Sequence, residues 1–266
     1  MLLFVIIFLI LIGLVYIFLP LGILSFFQKK YDLPAKIFWK SGLMGLIVGV
    51  IYIGIMVNIG DAIPGFKDIP SLAQLIIFGC LSGLFVELGQ FVVLDRMLPS
   101  VRSRESAVLF GVGWASIVTI VTGFVFILGA FGIYKLMNVH DVSHAFPQAD
   151  TEQIATIVKA QEMVQKLVDE APFNLFAPML DNLTTMVMDV ALCLLIVLGL
   201  KKQQSRFTWF TVGLKSFFSS LLLISIQYKY VPFQATYLFI MAACGILGFF
   251  IYKKGFGVKD RDTEKK

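Results

Sequence analysis

The sequence predicts an all-α protein: a polytopic bundle of about seven transmembrane helices, N-terminus outside and C-terminus cytoplasmic. Three observations predict it. Of 266 residues 58% are hydrophobic and 15% charged, with a mean hydropathy of +0.88, whereas a soluble domain is nearer half apolar and a quarter charged. The apolar residues fall in runs of about twenty or more, enough to cross a ~30 Å hydrocarbon core. The basic residues gather in alternate loops, as the positive-inside rule describes. A soluble enzyme and a disordered chain are thereby excluded, and so is a β-barrel, whose strands would alternate. The net charge of +5 reads as topology and not as nucleic-acid binding.

Spans are expected at about 2–27, 37–57, 71–98, 106–134, 174–200, 207–226 and 234–252. No basic residue precedes the first, which is also too long for the apolar region of a secretory signal, so it reads as a span. Lys29, Lys30 and Lys36 follow it, and Arg96, Arg102 and Arg104 flank the end of the third. Lys201, Lys202 and Arg206 join the fifth to the sixth; Lys253, Lys254, Lys259, Arg261, Lys265 and Lys266 form the tail. These are fifteen of the 22 basic residues, which sets the orientation. The organisation expected is one transmembrane domain over 1–252 and a basic cytoplasmic tail over 253–266, in a multi-pass protein of a bacterial plasma membrane.

The long connection 138–173 lies outside in this topology. Asp150 and Gln153 have the spacing of a capping pair, and Ile154, Ile157, Val158, Val164, Leu167 and Val168 recur at helical intervals. An amphipathic helix over about 150–171 is predicted, resting on the membrane or on the bundle mouth. His140 and His144, four apart, read as a solvated pair. Cys80, Cys193 and Cys244 lie inside spans without a CxxC, so neither a disulfide framework nor a zinc site is indicated. Gly45/Gly49 and Gly79/Gly83 have GxxxG spacing and predict close helix packing.

Polarity at membrane depth carries the functional signal. An ionisable residue inside a span is costly and faces protein or water. Glu87 in span 3, Asp189 in span 5 and Lys215 in span 6 lie roughly 16, 16 and 12 Å from the inner end at ~1.5 Å per residue, so one layer can hold all three. Each belongs to a stripe of helical spacing: Gly83, Glu87 and Gln90; Asn182, Thr185 and Asp189; Thr211, Lys215 and Ser219, with Ser116 and Thr119 on span 4. Four such faces predict a polar cavity between spans 3 to 6. Lys215 can pair with Asp189 or with Glu87, and either pairing leaves one carboxylate over. That carboxylate is a candidate for proton handling, cation binding or general base work, and Glu87 is the nominee. No cofactor is predicted, and the trio makes a poor metal site because lysine is not a ligand and no histidine lies in these spans.

At these positions the chain resembles the YhfC-like glutamic-type intramembrane proteases, distant relatives of the CAAX prenyl-protein endopeptidases. The similarity runs over almost the whole chain. Where that family has Phe-Glu-Glu-x-Gly-Arg, this chain reads Phe85-Val86-Glu87-Leu88-Gly89-Gln90. Its Gly-x-Gly-His-Gly-x-x-Glu phrase corresponds to Gly111-Val112-Gly113-Trp114-Ala115-Ser116-Ile117-Val118. Its acidic-Arg pair and later histidine become Asp181-Asn182 and Asp189; its His-x-x-x-Asp becomes Lys215 and Ser219. The resemblance implies the family fold, and its departures from the pattern imply that most catalytic positions are substituted.

Three functions compete. A non-catalytic, pseudoprotease-like member would bind a partner membrane segment or peptide through a polar layer of Glu87, Gln90, Trp114, Asn182, Asp189, Lys215 and Ser219. An active protease would use Glu87 as base and Lys215 as the donor to the developing oxyanion. A small proton- or ion-coupled carrier would use the same buried charges, although no inverted repeat is evident. The partners expected are the lipid bilayer and a membrane protein or peptide, with no nucleic acid.

Overall fold

The computed structural model describes residues 2–139, 151–170, 176–228 and 233–256. Among them are eight α-helices and no strand: α1 (Leu2–Tyr31), α2 (Ala35–Ala62), α3 (Ser71–Val92), α4 (Arg104–Met137), α5 (Thr151–Glu170), α6 (Phe176–Lys201), α7 (Arg206–Tyr228) and α8 (Phe233–Phe250). All but α5 contain a stretch long and apolar enough to span a membrane, as the hydropathy pattern requires. His140, His144, Asp150 and the tail from 257 lie outside the described residues.

Local chemistry sets the helix ends. Lys29 and Lys30 close the last turn of α1, where cations complement the helix dipole, and Asp32 then turns left-handed at φ 53°. Pro34, which is extended, and Pro70, at φ −52° and ψ 137°, precede α2 and α3, since proline has no N–H to leave unsatisfied at a helix start. Gly65, at φ 78°, opens a short 3-10 turn over Phe66–Asp68, a backbone region that favours glycine. The Gln74 carboxamide donates to the carbonyls of Phe66 and Ile69 at 3.3 and 2.8 Å, tying that turn to the start of α3. At the other end α3 widens into a π turn over Val93–Met97. Arg102 reaches back to donate to the Leu94 and Val101 carbonyls at 3.1 and 2.8 Å. Ser103 and Ser106 then cap α4 reciprocally, each side-chain oxygen accepting the other's backbone N–H.

The chain divides into two compact units. The first comprises residues 1–19 and 119–179. In it α1 crosses α4 glycine on glycine: a Cβ on Gly13 would lie 2.7 Å from the Gly123 carbonyl, and one on Gly123 would lie 2.7 Å from that of Gly13. Only hydrogen at both positions lets the backbones approach this closely. Val5, Ile6, Leu9 and Ala130 form the core above the crossing, and Val164 of α5 packs against it. The Gln161 carboxamide donates to the Leu136 and Val139 carbonyls at 2.8 and 3.0 Å, satisfying acceptors that the end of α4 leaves open. The amphipathic helix therefore leans on protein through Val164 and Gln161, while Met163, 57% exposed, faces away. Gln161→Ala should remove about 1–2 kcal/mol of this anchoring. Amide hydrogen exchange is expected to quicken in 151–165 with no change in α7; uniform quickening in both would mean that Gln161 supports the whole fold.

The second unit comprises residues 20–118 and 180–266, and α6 is its axis. In the apolar stretch of α6, 72% of residues are buried, against 11–33% in the other spans. Ala191 through Leu198 are all within the core. Three neighbours cover this helix. Gly111 of α4 sits against the Val190 backbone, where a Cβ would come within 2.7 Å of its Cα. Gly248 of α8 lies on Ala191, and the Thr184 hydroxyl reaches the Tyr237 carbonyl. From α7 comes Lys215.

A close seam joins α3 to α7. Cβ atoms added to Gly79 and Gly83 would strike the backbone of Ser220 and of Val212 and Ser216, and Ser82 and Ser219 share a hydrogen bond of 3.2 Å across it. The predicted role of the Gly79/Gly83 pair is thus met. The Gly45/Gly49 pair is met by half: Gly45 abuts the Trp114 backbone, but nothing lies within 4 Å of a Cβ on Gly49. Spacing finds a small-residue stripe, yet only the helix that happens to lie opposite decides which members are used.

Candidate functional site

The polar layer lies inside the second unit. Glu87 and Gln90 of α3 are 0% exposed, Asp189 of α6 2% and Lys215 of α7 4%. The buried face of α3 consists of Gly79, Ser82, Gly83, Glu87 and Gln90, that of α7 of Thr208, Thr211, Val212, Lys215, Phe218, Leu222 and Ser225. Gly83, Glu87 and Gln90 of the expected α3 stripe and Thr211 and Lys215 of the expected α7 stripe lie on these faces, whereas Ser219 is only partly buried. The small residues at 79, 82 and 83 bring α3 onto α7, along the same buried faces that carry Glu87 and Lys215.

Lys215 pairs with Asp189. Its Nζ donates to Asp189 Oδ1 at 2.6 Å, with both side chains about 95% buried. Glu87 lies within electrostatic reach of both charges, but neither of its carboxyl oxygens has a hydrogen-bond partner among the described residues. The same holds for both polar atoms of the Gln90 side chain, one turn along the same face. Thr211 faces Glu87, yet its single hydroxyl proton goes to the Thr208 carbonyl at 2.7 Å. Ser116 behaves alike, donating to the Gly113 carbonyl at 2.7 Å. Hydroxyls at membrane depth satisfy themselves on their own helix, which leaves the carboxyl of Glu87 without a donor.

The other expected members of the layer lie around its edge. Trp114 stacks on Phe110 with ring centroids 5.7 Å apart and approaches α3 at Gly89, so it packs as an apolar wedge between α2, α3 and α4. Asn182 stands two turns before Asp189 and is half-buried, about 10 Å along the helix axis. Ser219, one turn past Lys215, is engaged with Ser82. Ser82 itself and Tyr52, whose hydroxyl donates to the Phe78 carbonyl at 3.1 Å, extend this polar path and were not singled out from sequence. The cue for Ser82 is its place within the Gly79–Gly83 stripe; for Tyr52 there is none beyond a phenol in mid-span. At the basic end a separate cluster forms, with Arg104 2.6 Å from Glu105 and 4.6 Å from the centre of the Tyr252 ring.

A family model, that of the YhfC intramembrane metalloprotease, matches residues 15–237. The chain belongs to this family. The match covers every element of the polar layer, and with seven apolar helices it makes the chain a multi-pass membrane protein of the YhfC family. No curated protein and no solved structure shows a significant similarity to it. The family's printed name speaks of a metalloprotease, where the sequence resemblance implied a glutamic-type one.

A catalytic zinc takes three protein ligands of nitrogen, sulfur or oxygen and keeps a fourth position open. Among the described residues no three His, Cys, Asp or Glu side chains converge. In the YhfC layer of this chain Asp189 is already held by an ammonium at 2.6 Å, and Cys193, the buried thiol one turn on, directs its Sγ to the Ala107 carbonyl at 3.3 Å. Among the described residues, the Glu87 carboxyl is left without a hydrogen-bond partner. The donor set therefore does not fit a catalytic metal.

Proposed function

We propose that this chain is a non-catalytic member of the YhfC family, a pseudoprotease of the bacterial plasma membrane. In this reading it binds the membrane segment or peptide of a partner protein through the polar layer of α3, α4, α6 and α7. One observation carries the reading: Lys215 is committed to Asp189, while Glu87 and Gln90 are left with unused hydrogen-bonding capacity. A peptidase site needs a base together with a donor aimed at the oxyanion. Here the base has no such donor, because the one cation of the layer is neutralised by its carboxylate. An unsatisfied buried polar group costs roughly 1–3 kcal/mol, and a partner that supplies the missing hydrogen bonds would relieve that cost. The carboxamide of Gln90 offers both a donor and an acceptor, the complement of a peptide unit.

Affinity purification in mild detergent tests this. The wild type should retain a membrane partner in stoichiometric amount, and the variant carrying Glu87→Met and Gln90→Leu should lose it. The same variant gives a second prediction of opposite sign. With the orphaned groups replaced by apolar side chains of similar size, the protein alone should be equally stable or more stable, by up to about 2 kcal/mol, in thermal unfolding. Retention of the partner by the variant would remove the layer from recognition. Cleavage of a membrane reporter by purified wild type, abolished in Glu87→Gln, would establish the active protease in place of the pseudoprotease.

A further inference from the structure

We propose that the corner of the second unit made by the α6–α7 turn and the end of α8 binds the phosphate headgroup of an anionic phospholipid of the inner leaflet. The proposal depends neither on the Glu87 layer nor on a partner protein.

Tertiary packing gathers the cations of this corner. Lys201 closes α6 and Lys202 follows it, Arg206 opens α7, and Lys253 and Lys254 lie in the π turn Ile251–Gly255 that ends α8. The ends of α6 and α8 are joined. A Cβ on Gly255 would lie 3.1 Å from Leu198 Cδ2, and the Lys201 ammonium lies 5.8 Å from the centre of the buried Phe256 ring. The turn between α6 and α7 is also fixed. A Cβ on Gly199 would come within 2.7 Å of Phe207 Cβ, Gln203 is left-handed at φ 53°, and the Gln204 N–H donates to the Gly199 carbonyl at 2.9 Å. Lys202 and Arg206 then share one ring, standing 5.9 and 5.6 Å from the centre of Phe207.

Charge and hydropathy together name the occupant. No Asp or Glu occurs in the sequence between Asp189 and Asp260. Glu105, the carboxylate that reaches the end of α8, is held by Arg104 at 2.6 Å and accepts the Tyr252 hydroxyl at 3.3 Å. Arg96 likewise has Asp95 at 3.3 Å. Lys202, Arg206, Lys253 and Lys254 are all exposed, and among the described residues none of the four has a carboxylate partner. The positive-inside rule asks only for a number of cations on one side; here three helix ends bring theirs to one place. Trp209, Phe210, Phe249 and Phe250, each more than half exposed, belong to the same helix ends, and Lys253 lies 4.7 Å from the centre of the Phe249 ring. The corner therefore pairs cations with an aromatic collar of the kind that marks a membrane interface. A phospholipid matches both, with a phosphodiester for the cations and acyl chains for the collar, and basic pockets at cytoplasmic helix ends take such headgroups. A soluble anion would leave the collar unused.

Purified full-length protein in phosphatidylcholine mixed with phosphatidylglycerol tests this. In native mass spectrometry the wild type should retain phosphatidylglycerol several-fold over phosphatidylcholine. Nanodiscs containing phosphatidylglycerol should raise its Tm by on the order of 5 °C over phosphatidylcholine alone, and ~1 M salt, with a Debye length of about 3 Å, should shrink that rise. K202Q/R206Q should lose most of the preference, whereas K36Q/K40Q, which removes as much charge from the start of α2, should keep it. Equal retention of the two lipids by the wild type would overturn the proposal. So would a K36Q/K40Q protein that loses the preference to the same extent, since surface charge alone would then suffice. Inorganic phosphate should leave the Tm of the detergent-solubilised protein unchanged; a rise as large as that from phosphatidylglycerol would replace the lipid by a free anion. K253Q/K254Q is measured in the same way where K202Q/R206Q cannot be purified, and the wild-type comparison decides by itself if neither variant folds.

Discussion

Lys215→Met should destabilise the bundle by about 3–5 kcal/mol, because it strands the Asp189 carboxylate inside the protein with no counter-charge. Asp189 is 2% exposed and its ion pair spans only 2.6 Å, so water cannot take the place of the lost ammonium. Combining Lys215→Met with Asp189→Leu should recover most of the loss, since an apolar pair of similar volume removes both desolvation costs together. Combining it with Glu87→Gln should recover much less, because Glu87 feels Lys215 without bonding it. Unfolding in detergent, followed by thermal denaturation or by protease resistance, measures all three. A Glu87→Gln rescue as large as that of Asp189→Leu would mean that both carboxylates share the ammonium equally and that the observed pair is not the dominant one.

The second large effect belongs to the seam that creates this layer. Gly83→Leu should cost about 3 kcal/mol, the upper end of the overpacking range. A Cβ at Gly83 would lie 2.6 Å from the Val212 carbonyl oxygen and 2.8 Å from the Ser216 nitrogen. Both are backbone atoms of α7, so a whole helix has to move and no side chain can swing aside. Displacing α7 also draws Lys215 away from Asp189, and the two losses should therefore be coupled. Gly213→Ala is the control: it lies on the same helix, with nothing within 4 Å of the added Cβ, and alanine is the better helix former by up to about 1 kcal/mol. It should be neutral or stabilising. A Gly83→Leu protein that melts like the wild type would show that α3 and α7 are not held by backbone proximity.

Much of this was legible in the chain itself. Hydropathy found the seven apolar helices because every backbone group at membrane depth must be bonded within its own segment, so a span announces itself as one long apolar run. Helical periodicity found the buried faces of α3 and α7, including Glu87, Gln90, Thr211 and Lys215, because polar residues in lipid turn inward at whatever spacing the helix imposes. The amphipathic helix at 151–170 was visible for the same reason, although its two supports, the bundle mouth and the bilayer, look alike to an apolar face.

The tertiary structure decided three things that no pattern carries. It made α6 the most buried apolar helix, although α1 is the more apolar of the two; lipid tails are as apolar as leucine, so hydropathy does not distinguish a helix facing lipid from one facing protein. It gave Lys215 to Asp189 and not to Glu87, a choice between two carboxylates at one depth that rests on how α7 is rotated against α6. It also left Glu87 and Gln90 without hydrogen-bond partners among the described residues, and the Thr211 hydroxyl that faces Glu87 bonds its own helix. The sequence by itself determined that three charges share a buried layer, since depth and facing are properties of single helices. Which charges meet is a property of helix pairs, set by where glycine and serine let backbones touch.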